Sequence, residues 1–281
     1  MDLLYTNEMI KAAFFDIDGT LLSFKTHTIS PLVINALYEL RKNGVFVFAA
    51  SGRSINQIRE VVDFPFDGFI SSNGACCMDA NGIVLSHGMV PKRDIQQLVD
   101  YLKAGNGPFA FAYTTEAGMF AYNLNDKVKF HFVHTNVAFP IEVPLEEILD
   151  EDVLQITLYI DAEEEKELAE RVMPNCEFTR WHELFADVNN MEFNKASGVQ
   201  VMLDYYGIDR QKTVAFGDGG NDLKMLLFVE YGVAMGNAAQ WIKDQTKYVT
   251  GSVDEDGVLN ALIQFGLISP KIIADEFSGL G

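Results

Sequence analysis

Ala12-Ala13-Phe14-Phe15-Asp16-Ile17-Asp18-Gly19-Thr20 is a run of four apolar residues that ends abruptly in two carboxylates and a glycine. Four apolar side chains in a row, with no polar alternation, describe a strand covered on both faces, the situation of a central strand in a parallel sheet flanked by helices. Ligands bind at the carboxyl edge of such a sheet, because strand ends and helix N-termini open there into one crevice. Residues two apart in an extended segment point to the same side, so Asp16 and Asp18 both face that crevice. Two anions so close repel, and a proton or a cation has to sit between them.

Working outward, the same rhythm repeats. Ser30-Pro31 reads as an N-cap followed by proline at the first helical position, Val33, Leu37 and Leu40 share one face, and Asn43-Gly44 stops the helix. Val45 to Ala50 is a second buried strand, Ile55, Ile58 and Val62 mark another helix, and Gly68 to Ile70 is a third strand. The rhythm changes after Asn73-Gly74. Between about Ile83 and Asn190 the sequence predicts helices at Pro91–Lys103 and Glu163–Arg171 and strands near Phe109–Tyr113, Met119–Tyr122 and Leu154–Ile160, many with one polar face. That is an inserted α+β unit whose sheet is covered on one side. The first rhythm returns at Lys195: helix Ala196–Tyr206 stopped by Gly207, strand Thr213–Phe216, helix Leu223–Phe228, strand Gly232–Ala234 and helix Asp256–Phe265. The expected fold is α/β, a doubly wound, mainly parallel and Rossmann-like sheet in two segments, 1–82 and 191–281, with an α+β cap domain at 83–190.

Composition narrows the function classes. Lys and Arg number 21 against 40 Asp and Glu, a net charge of −19, which disfavours nucleic acid and anionic membrane surfaces as partners. The longest apolar run, Val45 to Ala50, falls far short of the roughly 20 residues that span a bilayer, and the amino terminus carries Asp2 and Glu8 instead of a basic region. Three cysteines, Cys76, Cys77 and Cys176, make neither an even disulfide framework nor a zinc site, which fits a reduced, cytoplasmic protein. The acidic clusters Glu142–Asp152 and Asp161–Glu167 read as solvated faces and helix N-termini.

Three more segments fall at the carboxyl edge of the same sheet. Ser51-Gly52-Arg53 follows the second strand and brings a hydroxyl and a glycine N–H, though Ser-Gly is also a common turn. Lys195 opens a helix, where a cation works against the helix dipole unless it has an anion to bind. Gly217-Asp218-Gly219-Gly220-Asn221-Asp222 follows strand Thr213–Phe216 and delivers two carboxylates on a flexible turn.

In order and context, these four segments resemble the motifs of the haloacid dehalogenase-like hydrolases, most closely the Cof-type sugar-phosphate phosphatases with a large type-B cap between the second and third motifs. Asn73-Gly74-Ala75, Gly232-Val233-Ala234-Met235-Gly236-Asn237-Ala238 and Asp254-Glu255-Asp256-Gly257-Val258 are similar to further features of that group. Gly219-Gly220 departs from it, since bulkier residues are usual there. The resemblance implies a phosphatase in which Asp16 is the nucleophile that forms an aspartyl-phosphate, and Asp18 the general acid and then base. It implies Mg²⁺ held by Asp16, the backbone carbonyl of Asp18, and Asp218, with Asp222 in support. Ser51, Gly52, Lys195 and Asn221 would hold the phosphoryl oxygens, with Arg53 supporting. The expected partner is a small phosphomonoester, with sugar phosphates first and phosphorylated cofactors next; the oligomeric state stays open.

A phospho-receiver module uses similar residues, but Asp18 would discharge the acyl-phosphate too quickly for a signal. A phosphohexomutase of the same superfamily and a catalytically silent phosphate-binding protein remain the alternatives. In the cap, Phe109, Phe111, Tyr113, Tyr122, Phe130, Phe132 and Trp181 read as core, and His131, His134 and His182 as ordinary polar residues. No cap residue receives a binding role.

Overall fold

The computed structural model describes residues 10–107 and 109–270, and of Trp181 the backbone only. Strand β1 (Ala12–Phe15) is buried along its whole length. The chain continues through α1 (Pro31–Lys42), β2 (Phe46–Ala50), α2 (Ile55–Val61), β3 (Gly68–Ser71) and an antiparallel pair, β4 (Cys76–Asp79) and β5 (Val84–His87). Ser30 sits at the N-cap of α1 as expected, but its side chain makes no capping hydrogen bond, so Pro31 sets the start of that helix.

The middle of the chain runs α3 (Lys92–Lys103), β6 (Phe111–Thr114), β7 (Met119–Tyr122), α4 (Asp126–His134), β8 (Ile141–Glu142), β9 (Gln155–Leu158), α5 (Ala162–Glu167), β10 (Cys176–His182) and β11 (Phe185–Asn190). It closes with α6 (Lys195–Tyr206), β12 (Thr213–Gly217), α7 (Leu223–Phe228), β13 (Tyr231–Ala234), α8 (Gln240–Lys243), β14 (Tyr248–Val249) and α9 (Gly257–Gln264).

Two sheets result. The larger has the order β14-β13-β12-β1-β2-β3-β4-β5, parallel from β14 to β3. One face packs on α1, α2 and α9 through Val33, Leu37, Leu40, Ile58 and Leu262, the other on α6 and α7 through Val199, Met202, Leu203, Met225 and Leu226. Covering both faces buries the uninterrupted apolar runs of β1, β2 and β12 and confirms the doubly wound reading. Strand β5 belongs to this sheet, so the change of rhythm at residue 83 comes one strand before the chain leaves it.

The smaller sheet has the order β10-β11-β9-β6-β7-β8. On one face Phe111, Tyr113, Ile156, Leu158 and Val188 meet Ile95, Leu98 and Val99 of α3. The other face, expected to be bare, is split. Its far part is covered by Val128 and Phe132 of α4, packed on Ala110, Ala112, Ala121, Tyr159 and Phe185. Its near part carries the buried polar residues Thr114, Gln155, Thr157, Asp187 and Asn189, of which Gln155, Asp187 and Asn189 hydrogen-bond to the turns of the larger sheet. Phe109, Phe111, Tyr113 and Phe132 are core as read; Phe130 is exposed, and the side chain of Trp181 lies outside the described residues. The three cysteines are buried and unpaired, and no helix among the described residues is long and apolar enough to cross a membrane.

Candidate active site

The turns after β1, β2, β3 and β12 meet at one edge. Asp16, Asp18, Ser51, Gly52, Arg53, Asp218 and Asn221 line a cavity of about 380 Å³ whose opposite wall comes from the smaller sheet and α4. Lys195, 0% exposed, sits behind them: Nζ donates to Asp16 Oδ1 at 2.6 Å and to Asp222 Oδ1 at 2.6 Å. The other oxygen of Asp222 accepts from the backbone N–H groups of Asp218 and Gly219 at 3.0 and 2.8 Å. Asp222 therefore has both oxygens engaged, pinning the lysine on one side and the acidic turn on the other. Asn237 donates from Nδ2 to Asp218 Oδ2 and to the carbonyl of Gly19, each at 2.9 Å, which gives the Gly232–Ala238 segment its part in the site.

Carboxylate oxygens of Asp16, Asp218 and Asp222 lie within 4.8 Å of one another. Gly19 makes that approach possible: it has φ +79°, and a Cβ there would stand 2.3 Å from Asp218 Oδ2. Three carboxylates against one ammonium leave two negative charges in a buried place. Burial, then the charge of Asp222, pushes Asp16 up to about 7 against the pull of Lys195. Burial and the charges of Asp16 and Asp222 likewise hold Asp218 well above the usual carboxylate range. Burial works against the charge of Lys195, yet Asp16 and Asp222 outweigh it and raise its pKa. An all-oxygen set with this surplus of negative charge fits a hard divalent cation.

Asp18 points its carboxylate at Arg53, which donates from Nε and Nη2 at 2.7 Å each in a two-pronged pair. Arg53 Nη2 also reaches the carbonyl of Thr135, just past α4, at 2.9 Å. Ser51 Oγ accepts from the Arg53 backbone N–H at 3.2 Å, and Asn221 Nδ2 donates to Asn73 Oδ1 at 2.9 Å. Asn73 in turn donates to Gln155 Oε1 at 3.0 Å and Asp187 Oδ2 at 3.3 Å. The sequence thus named the residues of the larger sheet's edge, and the structure brings all of them to one place. Lys195 and Asp222 are set back behind the cavity lining, Lys195 reaching the wall of a small adjoining cavity.

It missed the opposite wall. Gln155, Thr157 and Asp187 line the cavity, as do His131, His134 and His182, to which no site role had been given. His131 Nδ1 lies 2.7 Å from the Tyr159 hydroxyl and its ring stacks on Phe185. Burial, then the neighbouring His182, lowers it to about 3. A polar residue every second position along β9 and β11, on a face otherwise apolar, was the signal available for Gln155, Thr157 and Asp187.

Residues 13–262 match the family model of the haloacid dehalogenase-like hydrolases. The chain belongs to the haloacid dehalogenase-like hydrolases. A Bacillus subtilis protein provisionally named as a phosphatase, YkrA, is 32% identical over 92% of this chain and 98% of its own length. The 5-amino-6-(5-phospho-D-ribitylamino)uracil phosphatase YitU of Bacillus subtilis is 29% identical over 89% of this chain and 95% of its own. A solved sugar phosphatase of HAD subclass IIB superposes with a TM-score of 0.85 at 36% identity, over 92% of this chain and all of that one. As an enzyme, the chain takes its place among the phosphatases of the haloacid dehalogenase-like hydrolases.

Proposed function

We propose that the chain is a Mg²⁺-dependent hydrolase of small phosphomonoesters, with sugar phosphates first, that works through an aspartyl-phosphate on Asp16. The observation that carries this reading is the buried array in which Lys195 holds Asp16 against Asp222 while Asp218 stands within 4.8 Å. Such an array fixes a carboxylate nucleophile and leaves a cation's place beside it. Asp16, the carbonyl of Asp18 and Asp218 would hold Mg²⁺, with Asp222 as their brace. When bound, the ion supplies charge neutralisation for the phosphoryl oxygens.

Ser51, the N–H of Gly52, Asn221 and the remaining proton of Lys195 orient the phosphoryl group. A carboxylate oxygen of Asp16 forms a bond to phosphorus as the bond to the leaving oxygen breaks, and Asp18, protonated, gives that oxygen its proton. Asp18 then takes a proton from water, the water oxygen bonds to phosphorus, and the bond to Asp16 breaks, releasing phosphate. Arg53 orients Asp18 throughout. Residues 83–190, less strand β5, act as a cap that closes over the crevice and excludes bulky partners. A sugar phosphatase among the structural neighbours and a ribitylaminouracil phosphatase among the relatives support small polyol esters over phosphoproteins. A cytoplasmic location belongs to the same reading.

The test is release of free phosphate from an aryl phosphate and a panel of sugar and cofactor phosphates, with and without Mg²⁺. Metal-dependent release supports the reading. Isomerised sugar phosphate without free phosphate identifies a mutase, binding without either product identifies a silent binding protein, and full activity after chelation removes the metal.

A further inference from the structure

Among the described residues, Trp241 alone is a large apolar side chain that is both well exposed, at 51%, and part of the wall of the active-site cavity. Among those residues no other ring stacks on its indole. An apolar ring left open to water beside the reacting groups is a more telling feature than an exposed leucine elsewhere on the surface. The side chain is held in place from behind. Ala238 and Ile242, which flank it in the chain, are buried in the cluster of Met202, Met225 and Leu226. Asn237 ties the same segment to Asp218 and to the Gly19 carbonyl at 2.9 Å each. In front of it lies Gly220 of the acidic turn, where a Cβ would stand 3.4 and 3.5 Å from two carbons of the indole and 3.6 Å from the carbonyl oxygen of Arg180 in β10. The bare glycine lets the indole edge and the smaller sheet both come up to that turn, so Trp241 stands at the seam between the two walls of the crevice.

We propose that Trp241 is a specificity-determining residue that holds the ring of a cyclic sugar against its indole face, so that phosphate esters of cyclic sugars are turned over in preference to those of the matching open-chain alditols. The face of an indole is the negative side of its quadrupole and attracts the C–H groups that a sugar ring presents on its flat side. A ring offers those groups already in one plane, whereas an open chain has to freeze several torsions to do the same, an entropy cost that weakens its binding. The segment that carries the indole is bonded to Asp218, so a sugar ring resting on it is placed relative to the same turn that carries Asn221.

The inference rests on the phosphatase reading, and the test separates the two. With Mg²⁺ present, kcat/KM is compared within two matched pairs, glucose 6-phosphate with sorbitol 6-phosphate and ribose 5-phosphate with ribitol 5-phosphate, with p-nitrophenyl phosphate as control. In whichever pair is turned over faster, the cyclic member is expected to be preferred about tenfold or more, and Trp241→Leu to narrow that ratio about fivefold, chiefly through a higher KM for the cyclic ester. Trp241→Phe, which keeps a ring face, should retain most of the preference. A wild-type ratio within about threefold, an unchanged ratio in a folded Trp241→Leu, or a preference lost as fully in Trp241→Phe as in Trp241→Leu overturns the inference and leaves the phosphatase reading standing. So does turnover of the aryl ester alone. If Trp241→Leu does not fold, Trp241→Gln, which suits an exposed helix position, takes its place with the same expectation. Release of phosphate from none of the esters refutes the phosphatase reading and the inference with it.

Discussion

Arg53 joins the two halves of the site at a single side chain: it binds Asp18 through two bonds of 2.7 Å and the Thr135 carbonyl through a third of 2.9 Å. Lysine would keep the charge but not the fork that fixes the carboxylate plane. Arg53→Lys is therefore expected to lower kcat by about 10- to 100-fold while moving KM much less. Unchanged kcat would show that Asp18 needs no such support. Gly19 makes a second prediction. An alanine there would be strained by about 1–3 kcal/mol at positive φ, and its Cβ would press on Asp218, 2.3 Å away. Gly19→Ala should weaken Mg²⁺ binding about tenfold or more by titration calorimetry. Wild-type affinity in a folded variant would sever Asp218 from the metal site.

Helix α4 shows where the sequence was legible and where it was not. β1, β2 and β12 announced themselves as apolar runs that stop at acids or a Ser-Gly turn, and the nearest-edge residues came with them. In α4, Val128, Phe130 and Phe132 alternate with polar residues like a strand, and only Asn125, accepting from the N–H groups of Lys127 and Val128, sets the helical start. The wall built on β9 and β11 was hidden for another reason: Asn73 finds Gln155 and Asp187 82 and 114 residues further along the chain, a pairing that no local pattern encodes. The same helix carries a pH prediction. His131 is lowered to about 3 by burial, so the folded state binds its proton less readily than the unfolded chain. Its contribution is present above the ordinary histidine value and is lost as pH falls from about 6.5 toward 3. Relative to His131→Gln, the wild type should lose about 2 kcal/mol by about pH 5 in denaturant melts. Equal acid sensitivity of the two proteins would refute this.

A net charge of −19 sets the whole molecule against anions, yet the site asks for a phosphate. The cation proposed between Asp16 and Asp218 would reverse the sign locally. Asp16 is raised to about 7 from a usual 3.8 by burial, so without metal the folded protein holds a proton that the unfolded chain lacks across that window. Metal-free stability from this group is therefore lost as pH rises through about 7, and Mg²⁺ must displace a proton below that value. The rise in Tm on adding Mg²⁺ should be larger at about pH 8 than at about pH 5.5. A larger rise at the lower pH would contradict the placement of the metal.

The claim on which the rest depends is that Asp16 carries the phosphoryl group. In Asp18→Asn both half-reactions lose a proton carrier, but with p-nitrophenyl phosphate, whose leaving group needs little protonation, only the second is stalled, so the intermediate should accumulate. Rapid acid quench of this variant with substrate and Mg²⁺, followed by peptide mass spectrometry, should place one phosphoryl group on the peptide containing Asp16, and Asp16→Asn in the same background should abolish it. Phosphate on another residue, or a label that survives Asp16→Asn, would contradict the account.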